Sequence, residues 1–169
     1  IMSARGYEGE REVFLRPLLK RDMPDPMILT DMDRAAARIA NAVTRRERVV
    51  VFGDYDVDGA GASAVMGRWF AGFGIEVEIY IPDRLSEGYG PTPKAIERAL
   101  ASNPDLLICV DCGTAAGAVL DEIECDVVVI DHHKQQGDLP IVTALVNPHR
   151  NDDTSGLGML CATALCFLT

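Results

Sequence analysis

Residues 49–59 read Val49-Val50-Val51-Phe52-Gly53-Asp54-Tyr55-Asp56-Val57-Asp58-Gly59 and carry the strongest structural signal in the sequence. Its first four residues are apolar and three of them are β-branched, which together with the glycine that follows indicates a short buried strand. Three aspartates then occupy alternate positions before a helical pattern begins. In an open α/β sheet such carboxylates stand at the carboxyl end of the strand, where these sheets bind ligands.

This acidic segment predicts a bound cation. Asp54, Asp56 and Asp58 lie so close together that they would repel and raise one another's pKa unless a positive charge lies among them. All-oxygen ligands suit a hard divalent ion such as Mg2+ or Mn2+. The alternative is a solvated acidic turn. The strand before the aspartates and the helix after them fix the direction of the carboxylates, which favours the metal site.

The length and composition of the chain suit one globular domain with its own core. It has 169 residues, of which 48% are hydrophobic, and that is enough to bury a sizeable interior. We expect residues 1–29 to form an N-terminal helix and linker. Residues 30–169 are expected to form the domain itself, which stops inside an apolar helical segment and so looks truncated at its C-terminus.

Charge and cysteine content restrict the location and the partners. The net charge of −10 predicts that strong affinity for DNA, if the protein has it, comes from elsewhere. Five cysteines without a secretion signal are expected to be reduced thiols in a cytoplasmic protein. The Cys109-Cys112 pair has no second pair to complete a zinc site. No apolar run is long enough to span a membrane.

Apolar runs alternate with helical patterns along the chain. Strands are predicted near residues 48–53, 76–81, 106–111, 126–131 and 144–146, and helices near residues 31–46, 59–72, 92–101, 115–123 and 157–168. This alternation predicts an α/β fold with a doubly wound, mainly parallel five-stranded sheet and flanking helices.

Two further predicted strands also end in candidate ligands. Asp111 follows the third strand, and Asp131-His132-His133 follows the fourth. Because the carboxyl ends of parallel strands share one edge of the sheet, these residues should meet the three aspartates of the first strand. Carboxylates with imidazole suit Mn2+. The number of ligands suits two ions bridged by one aspartate, which is the usual means of hydrolysing a phosphoester.

These motifs resemble a known family. Asp54-Tyr55-Asp56-Val57-Asp58-Gly59, Asp111-Cys112-Gly113 and Asp131-His132-His133 look like the first three motifs of the DHH phosphoesterase family. Asp31-Met32, Glu87-Gly88-Tyr89-Gly90 and Val146-Asn147-Pro148 are similar to its single-strand-specific 5′→3′ exonuclease branch. The resemblance implies a DHH domain and an enzyme that hydrolyses single-stranded DNA from the 5′ end, with two Mn2+ or Mg2+ ions, in DNA repair and recombination.

The resemblance also implies which residues hold the metals. Asp56 and Asp58 match the two aspartates that each hold one ion, with Asp54 close by as a further ligand or support. Asp111 matches the bridging aspartate. His132 matches the histidine on the second ion.

Other residues match the parts of the family site that support the metals and meet the substrate. Asp131 would orient His132 or bind a metal directly. His133 matches the histidine that faces the scissile phosphate, so that Asp111, His132 and His133 form the catalytic set. Arg84 and Tyr89 match positions that line the entrance for the single strand, although Tyr89 could instead be a turn residue that packs on the sheet.

Two other functions are compatible with the family. One is a DHH phosphodiesterase on short oligonucleotides, cyclic dinucleotides or pyrophosphate, but those relatives usually begin the first motif with histidine, where this chain has Gly53-Asp54. The other is a non-catalytic DHH scaffold, which would have lost the aspartates and histidines. For the exonuclease we expect single-stranded DNA, a single-strand-binding protein and a helicase as partners.

The resemblance is incomplete. The exonuclease branch has a later aspartate motif and two further domains that this sequence lacks. We therefore expect the isolated chain to be inactive or weak.

Overall fold

The structure, a computed structural model, describes residue 4, residue 6 and residues 11–169. Its helices are α1 (Arg11–Leu15), α2 (Leu19–Asp22), α3 (Met32–Arg45), α4 (Val57–Gly72), α5 (Pro93–Ala99), α6 (Gly117–Leu120) and α7 (Ala162–Leu168), with a short 3-10 turn at Pro26–Ile28. Its strands are β1 (Val49–Phe52), β2 (Glu78–Tyr80), β3 (Leu106–Val110), β4 (Asp126–Ile130) and β5 (Ala144–Val146).

The five strands form one parallel sheet in the order β2-β1-β3-β4-β5. Strands β1, β3 and β5 are buried along their whole length, which explains why their sequences are continuous apolar runs rather than alternating ones. The predicted fold class is therefore confirmed.

Helices cover both faces of this sheet. Because side chains alternate across a strand, Val49 and Val51 pack on the face covered by α3, α4 and α7, whereas Val50 and Phe52 pack on the face covered by α5 and α6. The chain runs outward from β1 to β2 and then crosses back to β3. This reversal opens a crevice between the carboxyl ends of β1 and β3, where doubly wound folds bind ligands.

Several elements are shorter than the sequence predicts, and for three of them the cause is visible in the structure. Helix α6 is predicted over residues 115–123 but spans Gly117–Leu120, and it ends there because Asp121, Glu122 and Glu124 would stand at the negative end of its dipole. Helix α7 was predicted from residue 157 but begins at Ala162, where a distant aspartate caps it. Strand β2 covers residues 78–80 of the predicted 76–81, since it lies at the edge and pairs only with β1.

The N-terminal segment forms two short helices rather than one amphipathic helix. Leu15, Leu18 and Leu19 are mostly exposed around the break between α1 and α2. Residues 1–3, 5 and 7–10 lie outside the described part of the chain. The division at residue 29 stays a prediction. None of the described helices combines the length and the apolar character that crossing a bilayer requires.

Candidate metal centre

The aspartates after β1 occupy the turn into α4 and the first turn of that helix. Asp56 is the N-cap of α4, and its Oδ1 accepts the backbone N–H groups of Asp58 (2.8 Å) and Gly59 (3.0 Å). The helix thus begins at Val57, two residues earlier than predicted. Asp54 is buried, and its Oδ1 accepts the N–H of Tyr55. Burial, and then the nearby charge of Asp56, raise the pKa of Asp54.

Gly59 lets the helix approach this turn closely. A Cβ at this position would lie 2.5 Å from the carbonyl oxygen of Asp54 and 2.7 Å from its Cα. No side chain fits there without a backbone shift. The glycine therefore fixes how far Asp54 stands from the start of α4.

Asp58 joins the first turn of α4 to α7. Its two carboxylate oxygens accept the N–H groups of Ala162 (2.8 Å) and Thr163 (2.9 Å), and its carbonyl oxygen accepts the Thr163 hydroxyl. Burial alone would raise the pKa of Asp58, but these donors outweigh it and lower the pKa. Asp58 Oδ2 still lies 3.5 Å from His132 Nε2.

Asp111 is the most unusual carboxylate of the site. It follows β3 in a left-handed conformation (φ 60°) and is 1% exposed. Its Oδ1 is buried without a hydrogen-bond partner in the described part of the chain. Burial, followed by the charges of Asp58 and Asp56, raises its pKa to about 7. A buried, unpartnered acceptor of this kind calls for a cation or a proton.

The histidine pair after β4 faces Asp111 and is held by Asp131. His132 Nε2 lies 3.3 Å from Asp111 Oδ1. Asp131 Oδ1 accepts the N–H groups of both histidines and lies 2.8 Å from His133 Nδ1. Asp131 Oδ2 accepts the N–H of Thr114. The sequence predicted that Asp131 orients His132 or binds a metal, but in the structure its side chain contacts the ring of His133.

The same hydrogen bonds set the protonation states of Asp131 and His133. Burial would raise the pKa of Asp131, but the bonds from His133 and Thr114 lower it to about 2. The bond to Asp131 raises the pKa of His133 to about 9. Because Asp131 is ionised and can only accept, His133 Nδ1 carries the proton. His133 Nε2 points away from Asp131 and lies 3.3 Å from the Tyr89 hydroxyl.

The candidate ligands form two groups that share one residue. Donor atoms of Asp54, Asp56 and Asp111 lie within 4.8 Å of one another, and so do donor atoms of Asp111, His132 and His133. The shared Asp111 has the unpartnered Oδ1, and carboxylates with imidazole suit Mn2+. The residues present therefore fit divalent cations. Asp58 and Asp131 belong to neither group, so direct metal binding by either stays a prediction.

The loop between β2 and α5 brings the two predicted substrate residues to the rim of the centre. Arg84 is exposed, and its guanidinium carbon lies 5.2 Å from the centroid of the Tyr55 ring. Tyr89 is 53% exposed and meets the rings of Tyr55 and His133 edge to face. Tyr89 thus packs on the centre rather than on the sheet. Burial of its hydroxyl raises the pKa of Tyr89.

Glu87 anchors this loop. Its buried carboxylate accepts the Tyr80 hydroxyl (2.6 Å) and the Asp83 N–H (2.7 Å), and it pairs with Arg98 (2.8 Å). The sequence predicts no structural role for Glu87, which is quoted only as part of a family motif.

Three more polar residues contact the site, and the sequence predicts a role for none of them, although Asn147 belongs to one of the family motifs. Thr114, Asn147 and His149 contact Asp131 or the backbone of the histidine pair. The available signal was weak: a polar residue directly after β5 and before Pro148.

The cysteine pair lies in the core, beside the candidate metal centre. Cys109 and Cys112 are free and buried, and neither belongs to a group of potential ligands in the described residues. The neighbouring Cys109 and burial raise the pKa of the Cys112 thiol, which opposes formation of the thiolate that a metal would need.

Comparison with known proteins places the chain in a family. The model of the DHH family, N-terminal domain, matches residues 48–166. The single-stranded-DNA-specific exonuclease RecJ of Bacillus subtilis is 36% identical over 149 residues, which cover 86% of this chain and 19% of the relative. The chain thus spans about a fifth of the length of that relative.

Two solved structures are similar in shape. A crystal structure of an exonuclease RecJ bound to manganese matches 83% of this chain and 36% of its own length, with a TM-score of 0.74 and 33% identity. RecJ of Thermus thermophilus in complex with Mn2+ matches 99% of this chain and 23% of its own length, with a TM-score of 0.72 and 27% identity. Since the family model matches well over half of the sequence, the chain belongs to the DHH family.

Proposed function

We propose that this chain carries the catalytic centre of a two-metal phosphodiesterase that hydrolyses single-stranded DNA from its 5′ end, in DNA repair and recombination. One observation carries the proposal: two groups of potential ligands share the buried, unpartnered carboxylate of Asp111. The names of the similar proteins support it, since they describe a single-stranded-DNA-specific exonuclease and structures bound to manganese.

The residues divide between two cations, Mn2+ or Mg2+. Asp54 and Asp56 would hold one ion, His132 the other, and Asp111 both. When bound, two such ions supply a nucleophile from water at neutral pH and stabilise the charge on the leaving oxygen. Asp58 would add an oxygen beside His132, from which its Oδ2 is 3.5 Å away.

His133 is suited to meet the phosphate rather than a metal. Its Nδ1 is the ring nitrogen nearer to Asp111, at 4.0 Å, but that nitrogen donates to Asp131. Nε2 faces the open rim beside Tyr89 and can donate to a phosphate oxygen or to the leaving group. Arg84 would bind a backbone phosphate, and the half-exposed ring of Tyr89 would stack on an unpaired base.

The charge of the chain bears on its partners. With a net charge of −10, two divalent ions leave the chain acidic, so we expect weak and salt-sensitive DNA binding by the chain alone. A helicase would expose the single strand that the centre requires, and a single-strand-binding protein would keep it unpaired. The proposal includes both, in the cytoplasm.

Metal binding is the first test. We would titrate Mn2+ into the 169-residue chain by calorimetry and compare the Asp111→Ala and Asp138→Ala variants. Asp138 is exposed in the loop between β4 and β5, so its replacement removes the same charge away from the centre. Binding that is lost only in Asp111→Ala supports the proposal. Absence of binding to the folded, unaltered chain contradicts it.

Activity is tested in the context of a complete enzyme. The matched segment of Bacillus subtilis RecJ would be replaced by this chain, and the chimera given a 5′-phosphorylated single strand, a blunt duplex and a cyclic dinucleotide in Mn2+. We expect mononucleotides from the 5′ end of the single strand and a loss of more than about 100-fold in Asp111→Ala. Preferential hydrolysis of the cyclic dinucleotide would favour the alternative phosphodiesterase.

A further inference from the structure

A buried amide stands behind the histidine pair. Asn147 directly follows β5 and is fully buried. Its Nδ2 donates to Thr114 Oγ1 (2.7 Å) and to the carbonyl oxygen of His133 (2.8 Å). Its Oδ1 accepts the N–H of His149 (2.8 Å). Both donors and the acceptor of this side chain are therefore used, and two of the three bonds reach residues on other strand ends.

Thr114 connects Asn147 to Asp131, the residue that contacts the ring of His133. It follows β3 and is 1% exposed. While its hydroxyl accepts from Asn147, its backbone N–H donates to Asp131 Oδ2 (3.0 Å). Asp131 in turn accepts from His133 Nδ1. The carboxyl ends of β3, β4 and β5 are thereby joined by hydrogen bonds that involve three buried side chains, those of Thr114, Asp131 and Asn147.

His149 completes the enclosure of the pair. Its Nδ1 donates to the carbonyl oxygen of His132. The ring lies against Gly158, where a Cβ would be 2.9 Å from Nε2, so the glycine leaves the space that the ring needs. The carbonyl oxygens of His132 and His133 thus accept hydrogen bonds from His149 and Asn147. The backbone N–H groups of both histidines donate to Asp131.

We infer that Asn147 is a positioning residue that sets the places of the His132 and His133 rings through the backbone of the pair, with Thr114 as its support. The inference rests on the proposed function for its consequence, which is tight metal binding at Asp111 and His132. A metal ligand must be held within about 0.5 Å of its place. Replacing the residues that orient metal ligands typically weakens metal affinity 10–100-fold.

The test uses near-isosteric variants. Asn147→Asp keeps the acceptor for His149 but turns the two donors into an acceptor that repels the His133 carbonyl group. Thr114→Val removes only the hydroxyl, and Thr114→Ser restores it. The matched control is Thr143→Val at the amino end of β5, where the hydroxyl accepts the N–H of Val127. It loses a comparable bond on the same pair of strands, away from the centre.

Calorimetry with Mn2+ is the first readout. We expect the Kd to rise 10–100-fold in Asn147→Asp and in Thr114→Val, to return close to the unaltered value in Thr114→Ser, and to be unchanged in Thr143→Val. The added charge of Asn147→Asp should by itself attract a cation, so weaker binding cannot come from charge. Unchanged affinity in folded Asn147→Asp and Thr114→Val chains would overturn the inference.

A metal-free readout separates this inference from the proposed function. The chain has only three histidines, so nitrogen-15 labelling of histidine gives a spectrum of three rings. We expect the His132 and His133 ring resonances to move in Asn147→Asp and Thr114→Val but not in Thr143→Val. If the unaltered chain binds no Mn2+, the proposed function fails and these spectra alone decide the inference. Ring resonances that stay in place in both variants would overturn it.

Discussion

Replacing Asp111 with asparagine is expected to stabilise the metal-free protein, although the residue lies at the centre of the site. The side chain is 1% exposed, and its Oδ1 has no hydrogen-bond partner in the described residues. An ionised carboxylate in that position is a buried charge that no hydrogen bond stabilises, and the ring of His133, whose Nδ1 lies 4.0 Å away, offsets it only in part. Asparagine has nearly the same shape and no charge.

The magnitude follows from the pKa of Asp111. Burial and the charges of Asp58 and Asp56 raise it from 3.8 to about 7, and each pH unit of that difference is worth about 1.4 kcal/mol. The folded state therefore binds the proton more tightly than the unfolded chain, and the unaltered protein loses stability as pH rises from about 4 to 7. The free energy of unfolding of Asp111→Asn should therefore exceed that of the unaltered chain by about 2 kcal/mol at pH 5 and by about 4 kcal/mol at pH 8. The figure at pH 8 is an upper limit, because His133 loses the neighbouring charge.

Urea unfolding in EDTA at pH 5 and pH 8 measures this difference. Asp131→Asn is the matched control, because Asp131 is equally buried at the neighbouring strand end but accepts several bonds that lower its pKa to about 2. Those bonds stabilise the fold above pH 4 and are lost only below it, so Asp131→Asn should cost about 2 kcal/mol at both pH values. Saturating Mn2+ should stabilise the unaltered chain but not Asp111→Asn, which lacks the carboxylate that both groups of potential ligands share. If Asp111→Asn is no more stable than the unaltered chain at pH 8, the buried charge of Asp111 does not destabilise the metal-free fold.

Two further predictions concern stability. Gly59→Ala should destabilise the fold by about 1–3 kcal/mol, because the new Cβ would lie 2.5 Å from the Asp54 carbonyl oxygen. At Gly72, at the end of the same helix, a Cβ meets nothing within 4 Å, so Gly72→Ala should stabilise the fold by about 0.5–1 kcal/mol. Thermal unfolding measures both variants, and equal melting temperatures would contradict the prediction. Arg150→Met should cost about 3 kcal/mol in urea unfolding, because it strips a largely buried partner from Asp31; a change below about 0.5 kcal/mol would show that this ion pair is dispensable.

The sheet was predictable because its signal is local. Strands β1, β3, β4 and β5 agree with the predicted bounds to within about one residue, since a strand covered on both faces must be a continuous apolar run. The end of α6 could also have been predicted. Asp121, Glu122 and Glu124 crowd the carboxyl end of that helix, where the dipole disfavours negative charge.

Other features depend on contacts between distant residues. The start of α7 is set by Asp58, about 100 positions earlier in the chain, and no local pattern indicates such a cap. The aspartates and histidines that converge were predictable from topology, because each follows a parallel strand. The sequence could not predict whether Asp131 contacts the ring of His132 or that of His133, because this depends on how the rings are oriented after the end of β4. The partners of Asn147 depend on side-chain geometry at three strand ends.

The carboxylate of Asp58 has a consequence for helix α7. The two carboxylate oxygens accept the N–H groups of Ala162 and Thr163, and the one that accepts from Ala162, Oδ2, also lies 3.5 Å from His132 Nε2. If Asp58 takes a share of an ion, the docking of α7 and the occupancy of the centre become linked equilibria with one reciprocal coupling energy. Helix α7 would then change the metal affinity of the centre without supplying a ligand, and a molecule that binds beside its exposed Phe167 would raise or lower that affinity.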